Sequence, residues 1–444
     1  MLDRSNPPRK TVGALWGEGH IAGLITQWLA RFANVRTGEV RATLWAFAYF
    51  FCLLSSYYIL RPLRDEMGVA GGVRNLPWMF SATFVVMLAA VPVFGMLVGR
   101  FPRRVFVPWV YRFFILNILL FFVALQWSDS SPWVARVFFV WVSVFNLFVV
   151  TVFWSFMADL FSSEQGKRLY GFIAAGGTTG ALLGPTVTAA LAVPLGPVNL
   201  LLISALLLEG AVQCVRGLLR VPLAESGREK GLNDQVIGGG MLAGLMHVAR
   251  SPYLLMICGH ILLLTTTATF LYFQQAEVVS RAFTDAGERT RVFALIDLAV
   301  GLSTLVVQLT LTGRLITRFG VGKALAFMPA VTLAGFLALA VAPVLGVVIA
   351  FQALRRAADF AITNPAREIL FTVVPREDKY KAKNFMDTVV FRGGDAASGW
   401  AYAGLGALGL GVVGIAWVTV PLAAGWVGLA LFLGKRQERL AGQV

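Results

Sequence analysis

Twelve long apolar runs follow one another along the chain and constrain its fold more than any other feature of the sequence. They span 42–66, 77–99, 105–126, 133–160, 169–192, 197–219, 252–279, 291–313, 322–343, 345–373, 383–408 and 411–433. A helix needs about 20 mostly apolar residues to cross a bilayer, and the runs contain Gly and Pro without two-residue alternation, which favours helices over a barrel. Only 14% of the residues are charged, against about 25% in soluble proteins. The sequence therefore predicts an all-α membrane protein.

A polar stretch from 220 to 250 leaves six of the runs on either side of it. This division predicts a cytoplasmic N-terminal segment (1–41), two six-helix bundles (42–219 and 251–433), a cytoplasmic linker (220–250) and a cytoplasmic tail (434–444). In the first segment, apolar side chains at helical spacing predict an amphipathic helix on the inner membrane surface. They are Ile21, Leu24, Ile25, Trp28, Leu29 and Phe32.

The basic residues are distributed unevenly between the two sides of the predicted bundle. Most of the 38 Lys and Arg residues fall on segments that share a side with both termini. Cytoplasmic segments of membrane proteins carry such an excess, so we expect both termini in the cytoplasm and the chain in a bacterial inner membrane. The net charge of +15 is then a topology signal. The expected partners are membrane lipids and a small solute, without nucleic acid, and the chain is expected to act as a monomer.

Several kinds of chemistry lack their sequence signatures. No G-x-x-x-x-G-K-[ST] segment is present, which argues against ATP-driven pumping. The three histidines are scattered, and Cys52, Cys214 and Cys258 lie in apolar runs without metal-ligand spacing or a disulfide pattern. No nucleophile constellation is present either. The sequence therefore predicts no metal, no cofactor and no enzyme activity.

Two similar segments stand about half a chain length apart. They read "GMLVGRFPRRVF" from Gly95 and "GRLITRFGVGKAL" from Gly313. Both have the pattern G-x-L-x-x-R followed by basic residues at a tight turn. Glycines allow two helices to approach closely, and cationic side chains stabilise helix C-termini. The two segments indicate an internal repeat of two six-helix halves.

This pattern resembles the loop signature of the major facilitator superfamily. The second copy matches through Gly313, Arg318, Gly320 and Lys323, whereas Thr317 stands where that family usually has Asp. The resemblance implies two six-helix bundles around a central cavity that opens alternately to either side. It also implies roles in coupling or gating for Gly95, Gly313, Arg318 and Lys323.

Four ionisable residues stand at the end of the first run, in "SSYYILRPLRDEMG": Arg61, Arg64, Asp65 and Glu66. Two interpretations are open. The span can end at Leu60, which places the cluster in an outer loop. Alternatively the helix continues, in which case Arg61 and Asp65 are i,i+4 neighbours and a bend at Pro62 turns Arg64 towards a cavity.

Other ionisable residues fall inside the runs, where charges are rare and mark functional paths by default. In the tenth run, "FQALRRAADFAITNPAREILF", we expect Arg355 or Arg356 to face a polar cavity. Pairs between helices are the structural alternative for the remaining groups, such as Arg112 and Glu209. The others are Asp359, Arg367, Glu368, Gln274, Glu277, Asp297, Asp387, Arg392 and Asp395.

Three stretches resemble segments of the ATP/ADP antiporters of plastids and intracellular bacteria. "YYILRPLRDEMG" resembles part of their first helix, and "FWSFMADLFSSEQGKRLYGFIAAGG" (Phe153–Gly177) resembles their fourth-to-fifth helix junction. "NPAREILFTVVPREDKYKAKNFMDTVV" (Asn364–Val390) resembles their tenth helix and the basic loop that follows it. The resemblance implies the fold and an anionic-substrate cavity.

Carried over residue by residue, the resemblance places the family's first-helix lysine on Arg64 and its seventh-helix glutamate on Glu277. Its tenth-helix lysine falls near Arg356, with a one-turn ambiguity towards Asp359. The family's fourth-helix glutamate has no counterpart, because 136–146 holds no acid. We therefore keep the anionic cavity as the expectation and leave nucleotide exchange open.

These observations favour a secondary transporter that moves an anionic solute, such as a nucleotide or phosphorylated metabolite, by exchange. Arg64 and Arg356 are expected to hold the anion from opposite halves. The candidate binding residues are Arg61, Arg64, Arg355, Arg356, Asp359, Gln274 and Glu277, and Asp65 and Asp297 are candidates for coupling. The alternatives are a proton-coupled transporter, with Glu277 or Asp297 as the proton site, a lipid flippase of the same fold, and a membrane-bound enzyme.

Overall fold

The computed structural model describes residues 36–100, 103–127, 131–221, 248–249, 251–310, 312–374, 382–383 and 385–442. Within these ranges the chain forms helices without strands. The first half contains α1 (Val40–Ala70), α2 (Leu76–Arg100), α3 (Arg103–Trp127), α4 (Pro132–Leu160), α5 (Ser163–Leu191) and α6 (Leu200–Leu219). The second half contains α7 (Pro252–Ala282), α8 (Ala286–Thr310), α9 (Thr312–Val341), α10 (Leu345–Ala358), α11 (Phe391–Ala407) and α12 (Val412–Ala441).

The predicted all-α fold of two six-helix bundles is confirmed. The predicted N-terminal amphipathic helix and most of the 220–250 linker lie outside the described residues. Because the helices alternate in direction, α1 begins and α12 ends on one side of the bundle, which we call the terminal side. The other side is the far side.

Nine of the described helices are long and apolar enough to cross a membrane. The helices α5, α10 and α11 fall short by this measure, although all three were predicted as spans. Helices α10 and α11 have only 14 and 17 residues, and α5 has 29 residues but is rich in Gly and Thr. Helices α10 and α11 line the central cavity described below, and α5 packs against α1. Their polar or small side chains therefore face protein, which is where a membrane protein tolerates them.

The charged residues Arg61–Glu66 belong to the first helix. Helix α1 passes through Pro62 and continues to Ala70. Asp65 and Glu66 are buried inside the protein, with 7% and 0% of their surfaces exposed. The interpretation in which the span stops at Leu60 is therefore wrong. The last two turns are covered by both halves, with Tyr272 and Arg289 contacting Asp65 and Glu66 and with Phe139 packing near Gly68.

Two other boundaries differ from the sequence prediction. The tenth run is one element in sequence, yet α10 widens into a π-helical turn at Asp359–Thr363 before a short helix, Asn364–Leu370, and a 3-10 turn, Phe371–Val373. Pro365 has no N–H to donate to the preceding turn, and π-turns occur at such interruptions. Helix α12 extends beyond 433 to Ala441 because its last residues are good helix formers, although they are too polar for a span.

The two copies of the repeated segment occupy comparable places. The first ends helix α2 at Arg100. The second lies in α9 and contains a kink at Gly320, which has φ +78°, a backbone angle that favours glycine. Arg318 and Lys323 stand on either side of that kink with exposed side chains. The described residues of both copies therefore lie on the terminal side.

Helix α5 approaches α1 through a glycine face. A methyl group added to Gly176 would lie 2.5 Å from the Phe47 carbonyl oxygen, and one added to Gly180 would lie 2.5 Å from the Phe51 carbonyl oxygen. One added to Gly184 would lie 2.6 Å from Cβ of Tyr58. The glycines thus allow close helix packing, which holds α1 in place beside the cavity.

We predict that Gly180→Ala destabilises the protein by about 1–3 kcal/mol, because the new methyl group meets backbone atoms of α1 that cannot move aside. The matched control is Gly171→Ala in the same helix, where no atom lies within 4 Å of the added group. The measurement is thermal unfolding of both variants in the same detergent. Equal midpoints for the two variants would contradict the close approach of α5 and α1.

Candidate functional site

A cavity of about 500 Å³ lies between the two halves, within the range of small-molecule sites. Helices α1, α2 and α4 line it from the first half, and α7, α10 and α11 from the second. Its charged lining residues are Arg61, Arg64, Asp65, Arg355, Arg356, Asp359, Arg392 and Asp395. Five arginines against three aspartates give this lining a net charge of +2.

Arg64 enters the cavity from α1. Its Nη2 lies 3.1 Å from Oδ1 of Asp65, and that oxygen also accepts a hydrogen bond from the Tyr272 hydroxyl at 2.9 Å. The guanidinium lies 4.7 Å from the centre of the Phe139 ring. Its Nε atom is buried and has no hydrogen-bond partner among the described residues. Arg64 is thus held on three sides and keeps one donor unused.

Asp297 of α8 joins two other arginines. Its Oδ1 accepts a hydrogen bond from Nη1 of Arg356 at 2.6 Å, and its Oδ2 lies 3.6 Å from Nε of Arg61. Arg61 belongs to the first half, whereas Asp297 and Arg356 belong to the second. The carboxylate, with 1% of its side chain exposed, therefore connects the halves and pairs with Nη1 of Arg356.

Arg355 presents a different arrangement from its neighbour Arg356. Only 4% of its surface is exposed, and it forms no ion pair or side-chain hydrogen bond with other described residues. Its Nε is buried without a partner, as is Oδ1 of Asp359 one turn further along. The electrostatic influences on Arg355 come from Asp359, Arg356 and Asp395. Among the described residues, Arg355 is therefore a buried cavity cation that lacks a direct ion-pair partner.

Asp395 of α11 lies among the arginines of both halves. Its Oδ2 is 3.6 Å from Nη1 of Arg392, and its Oδ1 accepts a long hydrogen bond of 3.4 Å from Thr269. It also lies within electrostatic reach of Arg355 and Arg64. The cations of α1 and α10 therefore face the same part of the cavity.

An aromatic and amide lining accompanies these charges. Phe80, Phe139 and Tyr272 form one connected group, with ring centres 5.9 Å apart for Phe80 and Phe139 and 5.6 Å apart for Phe80 and Tyr272. Gln275 and Gln352 also line the cavity. The arrangement suits an anionic ligand that carries a planar or apolar portion, because arginine binds oxyanions bidentately and rings stack on planar groups.

The structure brings together some of the predicted site residues and leaves others apart. Arg61, Arg64, Arg355, Arg356 and Asp359 line the cavity, with Asp65 beside them. The repeated segments lie at turns on the terminal side rather than at this cavity. They contribute the predicted gating residues Gly95, Gly313, Arg318 and Lys323.

Two candidates on α7 do not line the cavity. Gln274 is fully buried and donates to the Val412 carbonyl oxygen at 3.1 Å. Glu277 accepts hydrogen bonds from Arg281 and from the Tyr402 hydroxyl. Both therefore pair within the second half.

Sequence reasoning missed Gln275 as a lining residue and did not assign Arg392 or Asp395 to the site. The available signal for Gln275 was its position beside Gln274 in an otherwise apolar helix. The two side chains point about 100° apart, since 3.6 residues make one turn. The signal for Arg392 and Asp395 was their i,i+3 spacing inside a span.

The far side of the cavity is closed by contacts between the halves. Arg289 of α8 donates two hydrogen bonds of 2.7 Å to the Glu66 carboxylate of α1. Arg289 also donates to the carbonyl oxygens of Phe283 and Thr284. Trp400 of α11 donates to Ser81 of α2 at 3.0 Å. These contacts hold α1 and α2 against α8 and α11 at one end of the bundle.

A second space of about 300 Å³ is lined by α1, α5 and α8. Its lining includes Leu54, Thr178, Leu182, Asp297 and Thr304. It shares Arg356 and Phe360 with the central cavity. The two spaces therefore adjoin.

Comparison with known proteins gives a family and a set of solved structures. Residues 46–394 match the profile described as Major Facilitator Superfamily. A crystal structure of the nucleoside transporter NupG has a TM-score of 0.60 at 14% identity, covering 90% of this chain and 98% of that one. No curated protein sequence matches the chain.

Two further structures, both bacterial, show the same fold. One is a homologue of the human lysosomal transporter Spinster, inward-facing and unoccupied, with a TM-score of 0.58 at 13% identity, covering 91% of this chain and 99% of that one. The other is a homologue of the iron transporter ferroportin, inward-facing, with a TM-score of 0.60 at 12% identity and the same coverage, 91% and 99%. At these identities the likeness concerns the fold alone.

We predict that Glu66→Gln opens the far side, because removing one partner of a buried ion pair costs about 3–5 kcal/mol. The measurement is the distance between spin labels at residues 131 and 408, in far-side connections of the two halves. We expect a new, longer distance population in the variant.

The matched control is Glu288→Gln, which removes the carboxylate from a half-exposed pair with Arg291 on the same helix as Arg289. Exposed pairs contribute little, so this variant should keep the wild-type distances. An unchanged distribution in Glu66→Gln would contradict the role of the Glu66–Arg289 pair in closing the far side.

Proposed function

Because the chain belongs to the major facilitator superfamily, it is a transporter rather than an enzyme, and we propose that it carries a small anionic solute by alternating access. The solute binds in the central cavity, and exchange of one anion for another drives turnover. No cofactor takes part, and the chain works as a monomer with its termini in the cytoplasm of a bacterial cell.

One observation carries this proposal. The cavity holds two buried arginine Nε donors without acceptors among the described residues, on Arg64 of α1 and Arg355 of α10. A buried donor that lacks an acceptor is destabilising by about 1–3 kcal/mol, and more for charged groups. A bound oxyanion removes that deficit at both residues. Since they belong to different halves, the same anion also connects the halves.

The assignment differs in one residue from the sequence expectation. Arg356 was expected to hold the anion together with Arg64. It already binds Asp297 at 2.6 Å, whereas Arg355 has no such partner. We therefore assign the direct anion contact to Arg355 and Arg64. Arg356 and Arg61, bound by Asp297, support the positive field of the cavity.

Contacts at the two ends favour alternating access. The far side is closed by Glu66 with Arg289 and by Trp400 with Ser81, whereas the space beside α5 and α8 adjoins the cavity from the terminal side. A substrate that draws the two halves together on the terminal side lowers the free energy of the opposite conformation, and only such differential binding moves an equilibrium.

The cavity chemistry favours organic anions with a planar portion, such as nucleotides or other phosphorylated metabolites. Arg64 and Arg355 suit a phosphate, and the rings of Phe80, Phe139 and Tyr272 suit a base. Among structures of this fold, NupG is described as a nucleoside transporter. The resemblance to ATP/ADP antiporters supports the anion, and the neutral Ser143 and Asn146 of α4 in the lining distinguish this cavity from theirs.

A second candidate, proton-coupled transport, rests on Asp359. Its Oδ1 is buried without a hydrogen-bond partner among the described residues, and its charge acts on Arg355. A carboxyl in that position can take up a proton when the arginine binds substrate. Counterflow against uptake driven by a proton gradient separates the two candidates.

We predict that proteoliposomes preloaded with unlabelled nucleotides or sugar phosphates accumulate the matching radiolabelled anion by counterflow. Arg64→Gln or Arg355→Gln should raise the apparent Km by one to two decades, since a charge-assisted contact contributes about 1.5–3 kcal/mol. Lysine at either position should also weaken transport because it lacks the planar fork.

The control is Arg281→Gln, which removes an exposed guanidinium on α7 that pairs with Glu277 outside the cavity. Its transport should equal that of the wild type. If both cavity variants transport every anion tested as well as the wild type does, the anion-cavity proposal is wrong.

A further inference from the structure

A separate groove lies on the lipid-facing surface of the first half, between α3 and α6. Its volume is about 550 Å³, and it shares no residue with the central cavity. Trp109 is 73% exposed and Phe113 is 59% exposed, and both stand beside the guanidinium groups of Arg112 and Arg216 in the lining. Aromatic rings and cations thus share a surface that faces the bilayer.

A chain of polar contacts connects the two arginines. Nη2 of Arg112 lies 3.3 Å from Oε1 of Glu209, which also accepts a hydrogen bond from Gln213. Nη1 of Arg216 donates to Oε1 of Gln213 at 3.4 Å. Glu209, Gln213 and Arg216 lie on one face of α6, since their spacing is i, i+4 and i+7. This is a polar strip on an otherwise apolar outer surface.

The strip is one anion short of neutrality. Arg112 and Arg216 bring two positive charges, and Glu209 brings one negative charge. Arg216 forms no ion pair with any other described residue. A cation without a protein partner at the membrane interface attracts an anionic group. The bilayer itself can supply the missing negative charge.

The strip is placed where a headgroup can reach it. Arg216 lies in the last turn of α6, at the terminal side. Arg112 lies nine residues into α3, and its Cα–Cβ bond is tilted towards the N-terminal end of that helix, which is also at the terminal side. The side chain can therefore extend along the groove to the interface.

We propose that this groove binds an anionic phospholipid of the terminal-side leaflet. Arg112 and Arg216 contact the headgroup phosphate, because basic pockets between membrane helices recognise anionic headgroups. The acyl chains lie along Trp109, Phe113 and Leu116. The lipid phosphate neutralises the positive charge that remains after Glu209 pairs with Arg112.

The test titrates the purified full chain, in a neutral detergent, with phosphatidylglycerol and separately with phosphatidylcholine. The readouts are bound lipid in native mass spectra and the shift in thermal midpoint. We expect phosphatidylglycerol to bind at least tenfold more tightly than phosphatidylcholine. Arg112→Gln combined with Arg216→Gln should lose that preference, whereas lysine at both positions should keep it within about threefold, since the charge remains.

A matched control removes two exposed arginines of α12 on the same side, Arg436→Gln with Arg439→Gln, and should keep the wild-type preference. Arg216→Gln alone, which leaves the Arg112–Glu209 pair intact, guards against a folding defect and should also weaken phosphatidylglycerol binding. Glycerol phosphate should fail to compete, since it lacks the acyl chains. Equal binding of the two lipids by the wild type, or equal losses in the groove and control variants, would overturn the proposal.

Discussion

Burial of arginines between the two halves is the constraint on which the rest of this structure depends. Arg61, Arg64, Arg355 and Arg356 all line a cavity at membrane depth, where a bare charge is destabilising by several kcal/mol. The protein offsets part of this with aspartates. Asp297 holds Arg61 and Arg356 together across the halves, and Asp65 holds Arg64. Arg355 has no direct partner among the described residues and is stabilised only by the electrostatic attraction of Asp359 and Asp395. The incomplete compensation is what allows the cavity to attract an anion.

The same charges connect binding to conformation. Arg64 and Glu66 lie within one turn of α1, so the residue proposed to contact the substrate and the residue that closes the far side through Arg289 move together. The glycine face of α5 presses directly on the preceding turns of α1. Movement of α1 is therefore transmitted to the cavity, to the far-side contacts and to the packing of its own half.

The sequence was sufficient for the fold because apolar run length, basic asymmetry and the repeated glycine–arginine segment are all local or periodic signals. It also indicated that Arg355 or Arg356 faces a polar cavity, whereas it left Arg64 open between a cavity and an outer loop. It could not choose between Arg355 and Arg356, because the partner that occupies Arg356 is Asp297, 59 positions away along the chain. Nor could it show that α1 continues past Leu60, since the ion pair that covers its end joins Glu66 to Arg289, 223 positions away.

The sequence also could not show which face of α7 lines the cavity. Gln274 and Gln275 are neighbours, yet only Gln275 lines the cavity, whereas Gln274 bonds Val412. A helix that is buried almost all round carries little periodic signal about which face is the polar one. The packing of α7 against its neighbours decides this.

The central claim is that one anion bridges Arg64 and Arg355 and thereby draws the halves together on the terminal side. The most direct measurement is the distance between spin labels at Lys167 of α5 and Gln308 of α8, with and without a saturating transported anion. The account predicts that the anion shortens this distance in the wild-type background and has no effect in Arg64→Gln or Arg355→Gln. The bridging of Arg64 and Arg355 by one anion would be contradicted if the anion left the wild-type distance unchanged, or if it shortened the distance equally in both arginine variants.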